Sequence, residues 1–290
     1  MSNIIKVGWI GLGAMGGPMA EVLAADGFEV TAYDVSADIL QKHAEHLKPA
    51  ASAAEAAKGR DVVGLMVATG AQLDDVLFGE QGIVGELGPD TVVMVMATVG
   101  PAAIEQALAK LPSGHLVDAP VSGGVVRAGT GDLLMMVSGT PQDVESVRPL
   151  LDSMAGTAAI VGDKPGDGQR FKVVNQLLCG VHIAVAGEAM ALADSMGLDI
   201  AQIYEVLGAG AAASFMFGDR GRRMVDGDHD EARSALDIFV KDMGLVTQAA
   251  REVAQEVPLA STAEQLYLRG RREGLGRKDD SIVYRILLGE

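Results

Sequence analysis

The run Gly166-Asp167-Gly168-Gln169-Arg170-Phe171-Lys172-Val173-Val174-Asn175-Gln176 sets a lysine and an asparagine three residues apart, on one face if the segment is helical. Phe171, Val173 and Val174 surround the lysine with apolar neighbours. Its amine is therefore expected to be partly desolvated and suited to taking up or releasing a proton. Taken alone, a lysine at a helix start is an ordinary solvated charge. A second run, Asp118-Ala119-Pro120-Val121-Ser122-Gly123-Gly124, offers a serine hydroxyl and two unhindered glycine N–H groups. Such a turn can form an anion-binding concavity without a net charge. By composition alone it also fits a plain glycine turn between strands.

A third run, Gly11-Leu12-Gly13-Ala14-Met15-Gly16, follows an apolar segment and opens a helical pattern. That context gives G-x-G-x-x-G a mechanism. Gly11 permits a tight turn, Gly13 lets backbone approach a pyrophosphate, and Gly16 lets helix and strand pack closely. The helix N-terminus supplies N–H groups and positive dipole to phosphates. Asp34 ends the next strand pattern, about 20 residues on, where a carboxylate accepts ribose hydroxyls. Val35 and Ser36 follow it, with no arginine to meet an extra phosphate. This pattern favours NAD over NADP.

The stretch Val7-Gly8-Trp9-Ile10-Gly11-Leu12-Gly13-Ala14-Met15-Gly16-Gly17-Pro18-Met19-Ala20 resembles the opening of the β-hydroxyacid dehydrogenases. The resemblance recurs, in order, in the Asp118–Gly124 run, the Gly166–Gln176 run and Lys241-Asp242-Met243-Gly244-Leu245, and it covers nearly the whole chain. It implies an α/β fold: an N-terminal Rossmann dinucleotide-binding domain and an all-helical C-terminal domain joined by a long helix, as in 6-phosphogluconate dehydrogenase. It implies hydride transfer between a small hydroxy acid and NAD. Ser122, Gly123 and Gly124 would hold the substrate carboxylate. Lys172 would be the catalytic residue that accepts the hydroxyl proton. Asn175 would join it and position substrate hydroxyls, with Gln176 a weaker candidate and Phe215 a further substrate contact. Gly11, Leu12, Gly13, Met15, Gly16, Asp34, Met66, Val67, Thr98 and Lys241 would contact the cofactor, Lys241 reaching back to it from the helical half. The C-terminal segments around Phe215, Asp226, Lys241 and Asp279 look most like the branch that oxidises a four-carbon sugar acid. 3-Hydroxyisobutyrate and tartronate semialdehyde stay open as substrates, as does a non-catalytic dinucleotide-binding reader of the same fold. Two details depart from the family: Met96 and Ala97 precede Thr98 where hydroxyl residues usually pair, and Met66-Val67 stand where Leu-Pro is common.

These residues need elements to carry them. Strand patterns at Ile4–Ile10, Glu29–Tyr33, Asp61–Val67, Thr91–Met96, Leu116–Asp118, Leu133–Ser138 and Ala158–Val161 alternate with helical ones. The helical patterns are Ala14–Asp26, Ala37–Leu47, a short one capped by Ser52, Ala71–Phe78, one opening at Pro101, and Pro141–Met154. That alternation predicts βαβ units and a mostly parallel sheet. From Gln169 to Met196 only helix formers appear, which predicts a central helix buried on most faces. Ile200–Leu207, Ser234–Gln255, Ala260–Glu273 and Asp280–Leu287 also read as helices. Glycine and proline at Lys164–Gly168 set the expected boundary between a domain over 1–165 and one over 166–290.

Composition bounds the rest. A net charge of −16 argues against nucleic acid and anionic membranes as partners. The lone Cys179 rules out an internal disulfide and a cysteine metal cluster, and no metal site is expected. The N-terminus runs directly into a strand pattern, without the features of a secretory signal, and no uninterrupted apolar run reaches membrane-spanning length. These readings predict a cytoplasmic protein. The apolar helices of the C-terminal half predict a homodimer or homotetramer.

Overall fold

The structure, a computed structural model, describes residues 5–289. The chain divides into two compact units, Met1–Lys172 and Val173–Glu290. Ile4, expected to open the first strand, lies outside the described residues.

The first unit is a sheet with helices on its faces. Its strands are β1 (Lys6–Ile10), β2 (Glu29–Tyr33), β3 (Lys48–Pro49), β4 (Val62–Leu65), β5 (Val92–Val95), β6 (Leu116–Asp118), β7 (Val121–Ser122), β8 (Leu133–Ser138) and β9 (Ala155–Gly162). They lie in the order β3-β2-β1-β4-β5-β6-β8-β7, with β9 also paired to β8. From β3 to β6 every pairing is parallel, while β8 runs antiparallel to β6 and β7. The order reverses at β1 and β4, the place where open α/β sheets bind ligands beyond their strand ends.

Both faces of this sheet are covered, so its central strands read as unbroken apolar runs. All four residues of β4 and of β5 are buried. Side chains alternate between two cores: Val92 and Met94 enter one with Val7, Trp9 and Val62, whereas Val93 and Val95 enter the other with Ile10, Val63 and Leu65. β3, whose Pro49 lacks an N–H, sits at the sheet edge where that loss is tolerated.

Serine caps start two helices as their positions predict. Ser36 accepts from Ile39 N, and Ser52 from Glu55 N. The structure also corrects the sequence reading. The helix after Ser36 stops at His43, and Lys48–Pro49 pairs with β2 instead of following a longer helix. The single helix expected over Pro141–Met154 is two, Pro141–Ser146 and Arg148–Met154. Pro149, lacking an N–H, falls in the first turn of the second, where proline is accommodated. Strand β7 and the short helix Gly124–Ala128 were not foreseen.

A 29-residue helix, Asp167–Ser195, runs from the first unit into the second. It is long and apolar enough to cross a membrane by length and composition, although no uninterrupted apolar run in it reaches that length. Glycines, His182 and Glu188 interrupt its apolar run without lowering its mean hydropathy far. Nor is it buried on most faces. Ile183, Ala186 and Met190 enter the second unit's core, but Phe171, Val174, Leu178, Val185 and Leu192 are exposed. Phe171, Leu178, Val185 and Leu192 recur every seventh residue, the spacing of a helix–helix seam.

The second unit is helical: Ile200–Gly208, Phe215–Asp226, Leu236–Glu252, Pro258–Arg272 and Val283–Leu288 follow the long helix. Phe215–Asp226 was missed in the sequence, where two glycines and five charges hide its apolar face. Two of its three arginines, Arg220 and Arg223, are buried in ion pairs. Arg220 Nε and Nη2 each donate to Asp280 at 2.9 Å, and Arg223 Nη1 donates to Asp279 at 2.8 Å. Burial pushes the Asp280 carboxyl up from its ordinary value, with Arg220 opposing.

Candidate active site

The glycine loop fits a dinucleotide on structural grounds. Gly11 has φ +97°, and a Cβ there would lie 2.4 Å from the Met66 carbonyl oxygen. A Cβ on Gly16 would lie 2.1 Å from the Gly11 oxygen. At Gly13 a Cβ would meet no atom within 4 Å, so the backbone faces open space. The helix Gly16–Ala25 that begins here has no side-chain cap at Met15. Its N-terminal donors thus keep the character that suits phosphate. Leu12 is buried under the turn and Met15 half-buried.

Asp34 belongs to the same assembly. Its Oδ2 accepts from Leu12 N at 2.7 Å and its Oδ1 from Ser36 N at 2.9 Å. Each oxygen keeps further acceptor capacity. Val35 beside it is 89% exposed, so no cation stands directly next to the carboxylate in sequence. Met66 and Val67, half-buried, follow β4 alongside the loop. Thr98, also half-buried, follows β5.

Lys172 is buried, at 6% exposure, and its Nζ donates to the Val121 carbonyl oxygen at 2.8 Å. The sequence expectation of a desolvated lysine is met, and its neighbour is the residue before Ser122. Ser122 ends β7 half-buried. Gly123 follows at φ +144° and Gly124 at φ +75°, conformations that favour glycine and turn the chain sharply.

A buried clasp, given no role from the sequence, fixes the start of the long helix. Asp118 Oδ2 accepts from Gly166 N at 3.0 Å, Gln169 N at 2.9 Å and Ser138 Oγ at 3.3 Å. Its Oδ1 accepts from Gln169 Nε2 at 2.7 Å. The Gln169 Oε1 accepts from Val99 N and Gly100 N, both at 3.0 Å, and its Nε2 also donates to Ala97 O. One carboxylate and one amide thus bind the loop carrying Thr98, the end of β6 and the helix carrying Lys172. Burial pushes the Asp118 carboxyl up to about 6, against the pull of its four donors. Both residues lie inside the runs quoted above, but only the fold shows that they meet.

In the second unit, Asn175 Nδ2 donates to Gln176 Oε1 at 2.8 Å and reaches Cys179 Sγ at 3.5 Å. Gln176 Nε2 donates to Asp242 Oδ2, and the Lys241 ammonium is 3.0 Å from Asp242 Oδ1. Phe215 is exposed at the start of its helix, which Ser214 caps. Among the described residues no cluster of histidine, cysteine or acidic side chains could hold a metal.

A mostly parallel sheet with a glycine loop and strand-end acid at its switch point, and a buried lysine held beside a serine–glycine turn, is the pattern of a nicotinamide-dependent oxidoreductase. Comparison with known proteins narrows the class. A profile for the NAD binding domain of 6-phosphogluconate dehydrogenase matches residues 6–162. One for the NAD-binding domain of NADP-dependent 3-hydroxyisobutyrate dehydrogenase matches residues 166–287. L-threonate dehydrogenase of Escherichia coli K12 is 39% identical over 287 residues, 98% of this chain and 95% of its own length. A crystal structure of 3-hydroxyisobutyrate dehydrogenase from Salmonella typhimurium superposes with a TM-score of 0.91 at 38% identity, covering 97% of this chain and 99% of that one. The Mycobacterium tuberculosis 3-hydroxyisobutyrate dehydrogenase with L-serine gives 0.85 at 26% identity, covering 98% and 99%. The chain belongs to the 3-hydroxyisobutyrate dehydrogenase-like family of hydroxyacid dehydrogenases.

Proposed function

We propose that this enzyme oxidises L-threonate with NAD, using Lys172 as the proton acceptor. The observation that carries the chemistry is the buried Lys172 amine, 2.8 Å from the carbonyl that precedes Ser122. Ser122 and the N–H groups of Gly123 and Gly124 hold the substrate carboxylate, and Asn175, one turn beyond Lys172, binds its hydroxyls. When bound, the nicotinamide supplies the hydride acceptor. The substrate carbon loses its hydrogen with the electron pair, the hydroxyl proton passes to the Lys172 amine, and the C–O bond becomes a carbonyl. In reduction Lys172 returns that proton. The 39% identity to an L-threonate dehydrogenase over nearly the full length supports the substrate.

Asp34 supports NAD: a carboxylate accepts ribose hydroxyls and repels the extra phosphate of NADP. Gly11, Leu12, Gly13, Met15, Gly16, Met66, Val67, Thr98 and Lys241 line the cofactor in this reading. The exposed seam of four apolar side chains spaced seven apart on the long helix supports a homodimer or homotetramer, and the acidic surface supports a cytoplasmic enzyme without nucleic-acid or membrane partners. The test is direct. Protein mixed with NAD and L-threonate should generate reduced-nicotinamide absorbance, faster than with NADP or with 3-hydroxyisobutyrate. A silent panel of hydroxy acids would favour a non-catalytic reader.

A further inference from the structure

Asp242 is 2% exposed and is paired with Lys241, so its carboxylate offers acceptors and no donor. Whatever side-chain amide meets it must therefore present nitrogen. Gln176 does so through Nε2. That choice turns Gln176 Oε1 the other way, where it can only accept. Asn175 must in turn present its own nitrogen, and Nδ2 donates to Gln176 Oε1 at 2.8 Å. Cys179 Sγ lies 3.5 Å from the same nitrogen. Donor and acceptor polarity is thus handed from the carboxylate through two amides.

We propose that this relay, Lys241 to Asp242 to Gln176 to Asn175, sets the enzyme's preference for a hydroxyl on the substrate. It rests on the reading above that Asn175 meets the substrate. With Nδ2 committed inward, Asn175 turns Oδ1 outward from the relay, and a carbonyl oxygen recognises only a donor. A substrate hydroxyl satisfies it, whereas an ether, fluoride or keto oxygen leaves two acceptors facing each other. A free asparagine could rotate its amide to suit either partner. Asp242 and Gln176 remove that freedom, and so act as positioning residues for specificity. A site that demands a hydrogen bond rejects analogues lacking it far more strongly than an apolar pocket rejects a methyl group.

The test compares L-threonate with analogues in which each non-reacting hydroxyl in turn is replaced by fluorine, which is similar in size and cannot donate. Asp242→Asn lets the relay reverse, and Gln176→Met cuts it without adding charge. Each variant, shown folded by circular dichroism, is expected to shrink the hydroxyl-over-fluorine preference in kcat/KM about tenfold, chiefly through KM. Asn175→Ala is expected to abolish the preference. If Asn175→Ala abolishes it while both other variants keep it intact, the relay is overturned and the substrate contact stands. If Asn175→Ala also leaves it intact, the contact itself is wrong and the relay falls with it. A readout without substrate separates the relay from the choice of hydroxy acid. Side-chain amide protons of Gln176, followed by nuclear magnetic resonance, should exchange slowly in the native protein and faster in Asp242→Asn. Equal exchange overturns the proposal.

Discussion

Lys172 Nζ donates to the carbonyl oxygen of Val121, so this buried amine is anchored one residue from Ser122. The contact joins residues 51 apart in sequence and both belong to the first unit. It fixes the proposed proton acceptor and the serine–glycine turn as a single geometry.

Replacing Lys172 by alanine removes the proton acceptor and leaves the glycine loop intact. Turnover should fall by about 10²–10⁴-fold, the usual worth of general acid–base catalysis. Cofactor affinity, measured by calorimetry, should change little. Undiminished turnover would take lysine out of the chemistry.

Asp34→Ala should weaken NAD and narrow its advantage over NADP. Part of the loss comes from Leu12 N, which loses the acceptor at 2.7 Å that steadies the loop. Asp34→Asn keeps an acceptor oxygen there and should restore part of the affinity while still relaxing discrimination. Dissociation constants for both dinucleotides decide it.

Asp118 makes stability depend on pH in a direction opposite to a salt-bridged carboxylate. Its folded value, about 6, stands above the ordinary 3.8. Between those values the folded protein holds a proton that the unfolded chain has lost. This group's contribution therefore rises as pH falls from about 6 towards 3.8, by on the order of 2–3 kcal/mol, and is flat above. Denaturant unfolding at several pH values should show that slope in the native protein and not in Asp118→Asn. The variant should also be weaker at neutral pH by roughly 1–3 kcal/mol. Its amide nitrogen would face Gln169 Nε2, and Gln169 cannot turn over because Val99 N and Gly100 N hold its oxygen.

Asp280→Ala removes two parallel bonds from the Arg220 guanidinium inside the helical unit and leaves it paired with the less buried Asp219. A buried charge stripped of every partner costs about 3–5 kcal/mol, and the remaining Asp219 pair should keep the loss below that. Thermal unfolding should shift downward accordingly, whereas Arg222→Ala, which breaks an exposed pair with Asp226, should shift it hardly at all.

Much of this molecule could be read from its residues. The glycine loop, β2, β6 and β8 stand where hydrophobic period and turn chemistry put them, because those signals are local. What escaped depended on partners remote in sequence. The helix Phe215–Asp226 was not read from the sequence, where the partners that help bury Arg220 and Arg223, Asp280 and Asp279, lie more than fifty residues on. The exposed seam of the long helix looked like core because periodicity reports apolar character and not what covers it. Lys172 was found through its motif, but its anchor on Val121, the Asp118–Gln169 clasp and the Asp242 relay are donor–acceptor matches that only the folded chain assembles.

One last feature serves the experimenter. Trp9, the only tryptophan in the sequence, is fully buried in β1, and its indole N–H donates to the Gly11 carbonyl at 3.0 Å. Light at wavelengths that tyrosine does not absorb will excite a single chromophore hydrogen-bonded to the glycine turn. The protein therefore carries an intrinsic fluorophore at its glycine loop, and a dinucleotide bound there should change its emission without a label.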